Sequence, residues 1–425
     1  MRKRLVVALV GAVGVATLGV SAQRGARVTC DPDNGGLKLP SGFCALVVAD
    51  NLGPARHLAV APNGDIHVMV NRSRAGTPGG IVALRDTDGD GRADERQQMA
   101  TLDGTEIRWR GDYLYLSSDS QVGRYKMTAG QLLPTSDLEI IATGFPEQRQ
   151  HASKSFAFDD AGNMYVNIGA PSNACQSPDR RPGVPGQDPC PLLERHGGIW
   201  RFSADKPNQD QVKDGYRFAT GLRNVVAIAQ NPADGRIYVV QHGRDALDTL
   251  WPDKFTSVDN AERPAEEMFR LSDGTDYGWP KCFYDLKNDR KVLNPEYGGD
   301  GSAVNGCDKV GQPIAVFPAH IGPNDLVFYT GDQFPAKYQG GAFVAFHGSW
   351  NRAPEPQAGY NVMFVPFKGN TPSGKPEVFA EGFAATKDPR NAEHRPTGLA
   401  QGPDGSLYVS DSQRGTIWRI MKIAD

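Results

Sequence analysis

The ten residues DTDGDGRADE, 86 to 95, place Asp86, Asp88 and Asp90 at alternate positions, followed by Gly91 and then Asp94. This is the opening spacing of a calcium loop, in which carboxylates surround a hard dication and a glycine allows the sharp turn. Gln97 stands where an EF-hand would have its bidentate Glu, and no flanking helices are evident. The segment therefore reads as a structural calcium loop on a hairpin, with a plain acidic turn as the alternative. Glu266-Glu267 is a second, more generic acidic pair. A different chemistry belongs to Arg56, Arg223 and Arg395, which are far apart in sequence. Convergent guanidiniums suit a ligand with several carboxylates, because each can bond one bidentately. Histidines at 57, 151, 242, 320, 347 and 394 add imidazoles, which serve as general bases near neutral pH.

Whether these residues meet depends on the elements that carry them. One phrase recurs along the chain: a short apolar strand, a turn built on Asn-Gly or Asp-Gly, and a second strand with an aromatic or His among aliphatics. It appears as HLAVAPNGDIHVMV from His57, EIRWRGDYLYLS from Glu106, SFAFDDAGNMYVNIG from Ser155 and NVVAIAQNPADGRIYVVQHG from Asn224. TGLAQGPDGSLYVSDS from Thr397 is another copy, and DLVFYTGDQFPAKYQGGAFVAFHG from Asp325 a looser one. Such turns supply the positive φ of tight hairpins. GGIWRFSA (197 to 204), EMFRLSD (267 to 273) and GYNVMFVPF (359 to 367) look like outer strands between copies. Glycine and proline make up 80 of 425 residues. That share, about 19% against roughly 12% on average, excludes a helical bundle, while the even mixture with apolar residues excludes disorder. The expectation is an all-β, six-bladed β-propeller with four-stranded blades. FCALVVAD, from Phe43, should complete the last blade beside the C-terminal GTIWRIMKI and so remove an exposed edge.

In a blade the first strand lines the central channel and the second runs back, so first-strand starts and second-strand ends share one face. Starts carry Arg56 and His57, Glu106 and Arg108, His151 and Lys154, Arg223 and Asn224, His320 and Asn324, and Arg395 and Thr397. Second-strand ends carry Gln241 and His242, then His347 and Ser349. A ring of imidazoles, guanidiniums and amides around a channel mouth is a binding-site expectation.

Residues 1–22 have the basic start, apolar run and small-residue ending of a secretory signal, with an uncleaved anchor as the alternative. Residues 23–42 would be an N-terminal extension and 43–425 the propeller. The net charge of -3 argues against a nucleic-acid partner. Six cysteines, at 30, 44, 175, 190, 282 and 307, permit many pairings. Three bonds between near neighbours are the expectation for an exported chain, periplasmic or secreted.

With those residues in view, the chain resembles the soluble quinoprotein sugar dehydrogenases, the pyrroloquinoline quinone (PQQ)-dependent glucose and sorbosone dehydrogenase superfamily. The resemblance runs from about residue 40 to 423. It rests on ATGLRN (219 to 224), the Gln241 to Asp245 loop, Glu266-Glu267 with YGWP (277 to 280), FVAFHGSWNR (343 to 352) and RPTGLAQGPDGSLYVSD (395 to 411). It implies PQQ- and calcium-dependent oxidation of an aldose or keto-aldehyde sugar, with electrons passed to a periplasmic carrier. His151 would be the general base taking the C1 hydroxyl proton while hydride passes to the quinone. Arg223 would stabilise charge growing on a quinone oxygen and Asn224 would bond the cofactor, with Arg395 and Arg352 for its carboxylates. Arg56, His57, His242 and His347 complete the expected cofactor-binding rim. Carbonyls of Gly243 and Arg244 would hold the cofactor calcium, and Glu266 and Glu267 a structural one. Gln150 departs from the acid that precedes this histidine in the glucose enzymes, Lys154 stands where relatives often carry arginine, and Arg244 replaces a proline. Glucose itself is therefore not implied. Two other functions compete: a calcium-dependent lactonase or esterase, and a non-catalytic binding propeller.

Overall fold

The computed structural model describes residues 28–423 apart from 73–75, 77, 387, 389 and 390. The secretory signal expected at 1–22 lies outside the described residues. Six antiparallel sheets form the blades of a propeller. Blade 1 runs Ala55–Val60, Ile66–Val70, Gly80–Arg85 and Glu95–Ala100. Blades 2 and 3 begin at Ile107–Arg110 and Phe156–Phe158, and each gains a two-residue parallel strand at its outer edge. Blades 4, 5 and 6 begin at Val225–Asn231, Pro323–Phe328 and Pro396–Gln401.

Burial follows position in the blade. Ile66–Val70 is buried along its whole length, because neighbouring blades cover both of its faces. The outermost strand Glu95–Ala100 is largely exposed and reads ERQQMA. The core lies between blades. Phe43, Phe334, Tyr338, Phe343, Phe364 and Phe379 fill one such layer beside the closing strand. Their rings meet mostly edge to face, as in Phe43 on Phe334 at 4.8 Å between centroids.

The ring closes as the sequence indicates. Phe43–Ala49 pairs antiparallel with Ile417–Lys422, so blade 6 takes three strands from the C-terminus and one from the N-terminal side. The cysteines form Cys30–Cys44, Cys175–Cys190 and Cys282–Cys307, with Cα separations of 5.9, 6.1 and 5.7 Å. Cys30–Cys44 pins the closing strand, whereas the other two clamp the long insertions of blades 3 and 4.

First strands of blades 1, 4, 5 and 6 share an irregularity near their starts. Pairing slips at Ala55/Leu58, Val225/Ala227, Pro323/Asp325 and Pro396/Leu399. Each bulge adds backbone on the channel strand and re-aims the side chains there. In blade 1 this turns Arg56 toward the channel mouth while its neighbour His57 is wholly buried.

Candidate active site

A cavity of about 580 Å³ opens at the face predicted for chemistry. Arg56, Asn224, His242, Asn324 and His347 line it beside His151 and Arg149. Arg56, Asn224 and Asn324 come from the starts of first strands, His242 and His347 from the ends of second strands, and Arg149 and His151 from the loop that leads into Phe156–Phe158. The channel below the cavity is closed by charge. His57 Nδ1 lies 3.0 Å from Glu106 and its Nε2 2.7 Å from the Asn324 carbonyl. Arg108 donates to the carbonyls of Phe156 and Ile228, and its guanidinium lies 3.2 Å from Glu106 and 3.5 Å from Asp325. Asp325 accepts from the Leu399 amide at 2.8 Å. Burial opposes a charged His57, but Asp325 and Glu106 outweigh it and raise the imidazole above its ordinary value. His57, expected on the cofactor rim, is thus part of a buried plug joining all six first strands.

His151 has the local geometry of a base. Its backbone sits at φ 55°, and the Gln148 amide holds this turn by donating to the carbonyls of Gln150, His151 and Gly169. The ring Nδ1 is 2.5 Å from the Ala170 carbonyl, which can only accept, so Nδ1 carries the hydrogen and Nε2 keeps its lone pair. Burial, then the charge of Arg223, lowers its pKa from 6.5 to about 3. Orientation by a carbonyl replaces the acid missing at Gln150, whose own amide bonds Asp179. Gly169 makes room: a Cβ there would lie 2.6 Å from the His151 carbonyl oxygen.

Arg223 is buried beneath the cavity rather than in its wall. It donates to the Gly243 carbonyl at 2.8 Å, to Asp245 at 2.6 Å, and to the side chain and carbonyl of Asn173. It acts on the cavity through its charge. Burial would raise the pKa of Asp245, but Arg223, His320 and Arg180 hold it well below the carboxylate range. Asp245 Oδ1 also accepts from Asn351 at 2.8 Å, and Arg180 reaches Oδ2 at 2.9 Å. This carboxylate was in the quoted loop without a role. Its importance depends on partners from three blades, which no local pattern reveals.

Four further expectations meet a different arrangement. Arg352 is spent on Glu262 and on the carbonyls of Ala261, Ala319 and Pro356, binding the short helix Ser257–Glu262 to the loop after the second strand of blade 5. Arg395 flanks the cavity, but its guanidinium bonds the carbonyls of His347 and Gly348. Glu266 and Glu267, adjacent on a strand, do not share a point in space. Glu266 accepts from the amides of Gly243 and Gly322, whereas Glu267 meets Gln241 and, at 3.2 Å, Lys291. Burial raises Glu266 to about 7. Of the two carbonyls expected to hold calcium, that of Gly243 accepts from Arg223, and the Arg244 side chain points away to pair with Glu296 at 2.6 Å.

Asp86, Asp88 and Asp94 do converge, with one oxygen from each within 4.8 Å of the others. Asp90 instead accepts from the Arg92 amide at 2.7 Å. The loop joins the two outer strands of blade 1 on the face opposite the cavity. It also supports the closing strand: Ala93 N and Arg92 Nη1 donate to the carbonyls of Val48 and Val47.

Arg56 is one of two free cations of the cavity among the described residues. Its guanidinium makes no hydrogen bond among the described residues, and its Nε is buried without a partner. Burial and the nearby charge of Arg395 lower its pKa to about 10. The carbonyl oxygen of the Asn224 side chain is also buried and unpaired. Arg149 lines the cavity as a second unpaired guanidinium. Unmatched cations, an orphan acceptor and this volume fit a planar polycarboxylate such as PQQ.

Comparison with known proteins follows the same line. A pyrroloquinoline quinone-dependent pyranose dehydrogenase from Coprinopsis cinerea is 27% identical over 237 residues, covering 48% of this chain and 31% of that protein. A pyrroloquinoline quinone-dependent sugar dehydrogenase from Hypocrea jecorina is 24% identical over 253 residues, 53% of each. The chain thus spans about half or less of the length of these curated relatives. Among solved structures, a Trichoderma reesei Carbohydrate-Active Enzymes Family AA12 protein superposes with a TM-score of 0.73 at 20% identity, covering 93% of this chain and 99% of that one. The holo pyranose dehydrogenase PQQ domain from Coprinopsis cinerea gives 0.70 at 19%, covering 94% and 99%. These likenesses establish the fold. A sequence model described as TrAA12-like matches residues 37–423, and by that match over nearly all the described residues the chain belongs to the TrAA12-like family.

Proposed function

We infer that this protein is a PQQ-dependent dehydrogenase that oxidises an aldose or keto-aldehyde sugar, with His151 as general base. The observation that carries the reading is His151 itself: one ring nitrogen is committed to the Ala170 carbonyl, and the ring is held neutral beside unpaired cations. Arg56 and Arg149 would hold cofactor carboxylates, and Asn224 would accept a hydrogen bond from it. Bound there, the quinone would supply the two-electron acceptor. His151 Nε2 would take the proton of the sugar hydroxyl, and Arg223 would keep the imidazole unprotonated beforehand.

Calcium would sit at Asp86, Asp88 and Asp94, where it would brace the closing strand, and the Arg223 donation to the Gly243 carbonyl favours this loop over the one at Gly243 and Arg244. The three disulfides suit an exported protein passing electrons to a periplasmic carrier. Among the described residues no helix is long and apolar enough to cross a membrane.

The test is dye reduction by purified protein with a panel of aldoses, with and without PQQ and calcium. Activity is expected only with the quinone, and His151→Ala should lower turnover by about 10²–10⁴-fold with unchanged folding. A variant as active as the parent would sink the mechanism. Ester hydrolysis without quinone would move the protein to the lactonase class.

A further inference from the structure

The cavity has two chemically different walls. On one, His151, His242 and His347 are neutral imidazoles tied to the framework through Ala170, Pro323 and Ser412, with Arg56 among them. The other is built from blades 1 to 3 and includes Asn71, Arg72, Asp103, Thr105, Asp119 and Ser153. Most of its polar groups are already matched. Arg72 pairs with Asp103 at 3.8 Å, and Thr105 shares a hydrogen bond with Ser153 at 2.9 Å.

Asp119 is different. It lies two residues past the second strand of blade 2, Tyr113–Ser117, at the same channel mouth where His242 and His347 each stand one residue past the second strands of blades 4 and 5. Its carboxylate lines the cavity, yet it makes no hydrogen bond and no ion pair among the described residues. Asp119 is exposed to the cavity, and partial desolvation, helped by Asp103, keeps its carboxyl above the ordinary value against the opposing charges of Lys154 and Arg56. Lys154 is itself buried and donates to the Ala152 carbonyl, and among the described residues it forms no hydrogen bond to the carboxylate.

A carboxylate repels a polycarboxylate cofactor and accepts hydrogen bonds only. Asp119 therefore marks the part of the cavity that such a cofactor avoids, and it suits a neutral molecule rich in hydroxyl donors. We propose that Asp119 is a specificity-determining residue whose carboxylate accepts hydrogen bonds from neighbouring hydroxyls of the sugar. The proposal rests on the sugar-oxidising reading above and assigns the sugar to the part of the cavity wall that carries Asp119.

The test compares wild type, Asp119→Asn and Asp119→Ala by calorimetric titration of the quinone-free protein with a neutral aldose, by titration with PQQ, and by steady-state kinetics. Asp119→Ala should weaken aldose binding and raise KM about tenfold or more, with kcat changed less than about threefold, and Asp119→Asn should fall between. PQQ affinity should stay within about twofold of wild type, as expected of a residue outside uniform cofactor binding. Unchanged aldose affinity and KM in Asp119→Ala would overturn the assignment. So would a main loss in PQQ affinity, which would place Asp119 at the cofactor. If wild type neither binds nor oxidises any aldose, the functional reading falls and the proposal falls with it; the two failures are told apart by the wild-type control.

Discussion

His151 shows how one side chain is prepared by its surroundings. A histidine in water titrates near 6.5, where a base would be half lost at mildly acidic pH. Here burial and Arg223 bring it to about 3, and His347 is pushed the same way by burial, Arg395 and Arg56. Both folded values lie below the unfolded one. Their stabilisation is therefore complete above about pH 6.5 and drains away as pH falls toward the folded values. His57 has the opposite sign: its raised value stabilises the fold below about 6.5 and loses that contribution as pH rises through it. Unfolding free energy should fall as pH is lowered from 7 to 4, by up to about 1.4 kcal/mol per pH unit for each proton taken up. His151→Gln, which cannot titrate, should give a shallower slope in denaturant melts. Equal slopes would show that His151 is not held neutral.

At the scale of elements, the site is made by irregularities in regular strands. Bulges at the starts of four first strands place consecutive residues on different sides, so Arg56 faces the cavity while His57 faces the plug. The strand Asn163–Ile168 ends at Gly169, where the chain of blade 3 passes against the His151 turn. A Cβ there would also lie 2.8 Å from the His151 Cβ and 3.0 Å from the Asn224 side-chain oxygen. Backbone lies on one side of that contact, so the His151 turn must shift. Gly169→Ala should cost about 1–3 kcal/mol of stability and lower kcat about tenfold or more, because small displacements of a base are costly. Paired thermal melts and dye-reduction kinetics check this, and near-parental kcat would refute it. The insertion clamped by Cys175–Cys190 serves the same end, since it delivers Asn173 and Arg180 to Asp245 and Arg223.

The whole molecule is held at its rim and at its axis. At the rim, Phe43–Ala49 completes blade 6 as its outermost strand, and its outer edge is capped by Asp31 and Asn34 on one stretch and by Arg92 and Ala93 on the next. At the axis, Glu106, Asp325, Arg108 and His57 link all six first strands through ion pairs and backbone contacts. A buried network of this kind is costly to break, because removal of one member leaves the others charged and unpaired. Glu106→Ala should cost about 3–5 kcal/mol and disturb every blade at once, seen as a lower melting temperature with a single transition. Loss below about 1 kcal/mol would show the plug to be incidental, as expected of an exposed pair.

The sequence alone determined the six blades, the closing strand and the face that carries the cavity, and it favoured near-neighbour disulfides among the many pairings it left open. Each depends on local or repeating signals: Asn-Gly and Asp-Gly hairpin turns, strand alternation, and cysteines close along the chain. It also singled out Arg56, His151, Asn224, His242 and His347, because strand direction fixes which end of each strand meets the mouth. Only the tertiary structure decided which charges are free. Arg352, Arg395, Arg244, Glu266 and Glu267 are satisfied by residues distant in sequence, and His57 is turned into the plug by a bulge. Whether an ionisable group faces a ligand or a protein partner depends on long-range pairing across blades, and that pairing leaves no periodic trace in the chain.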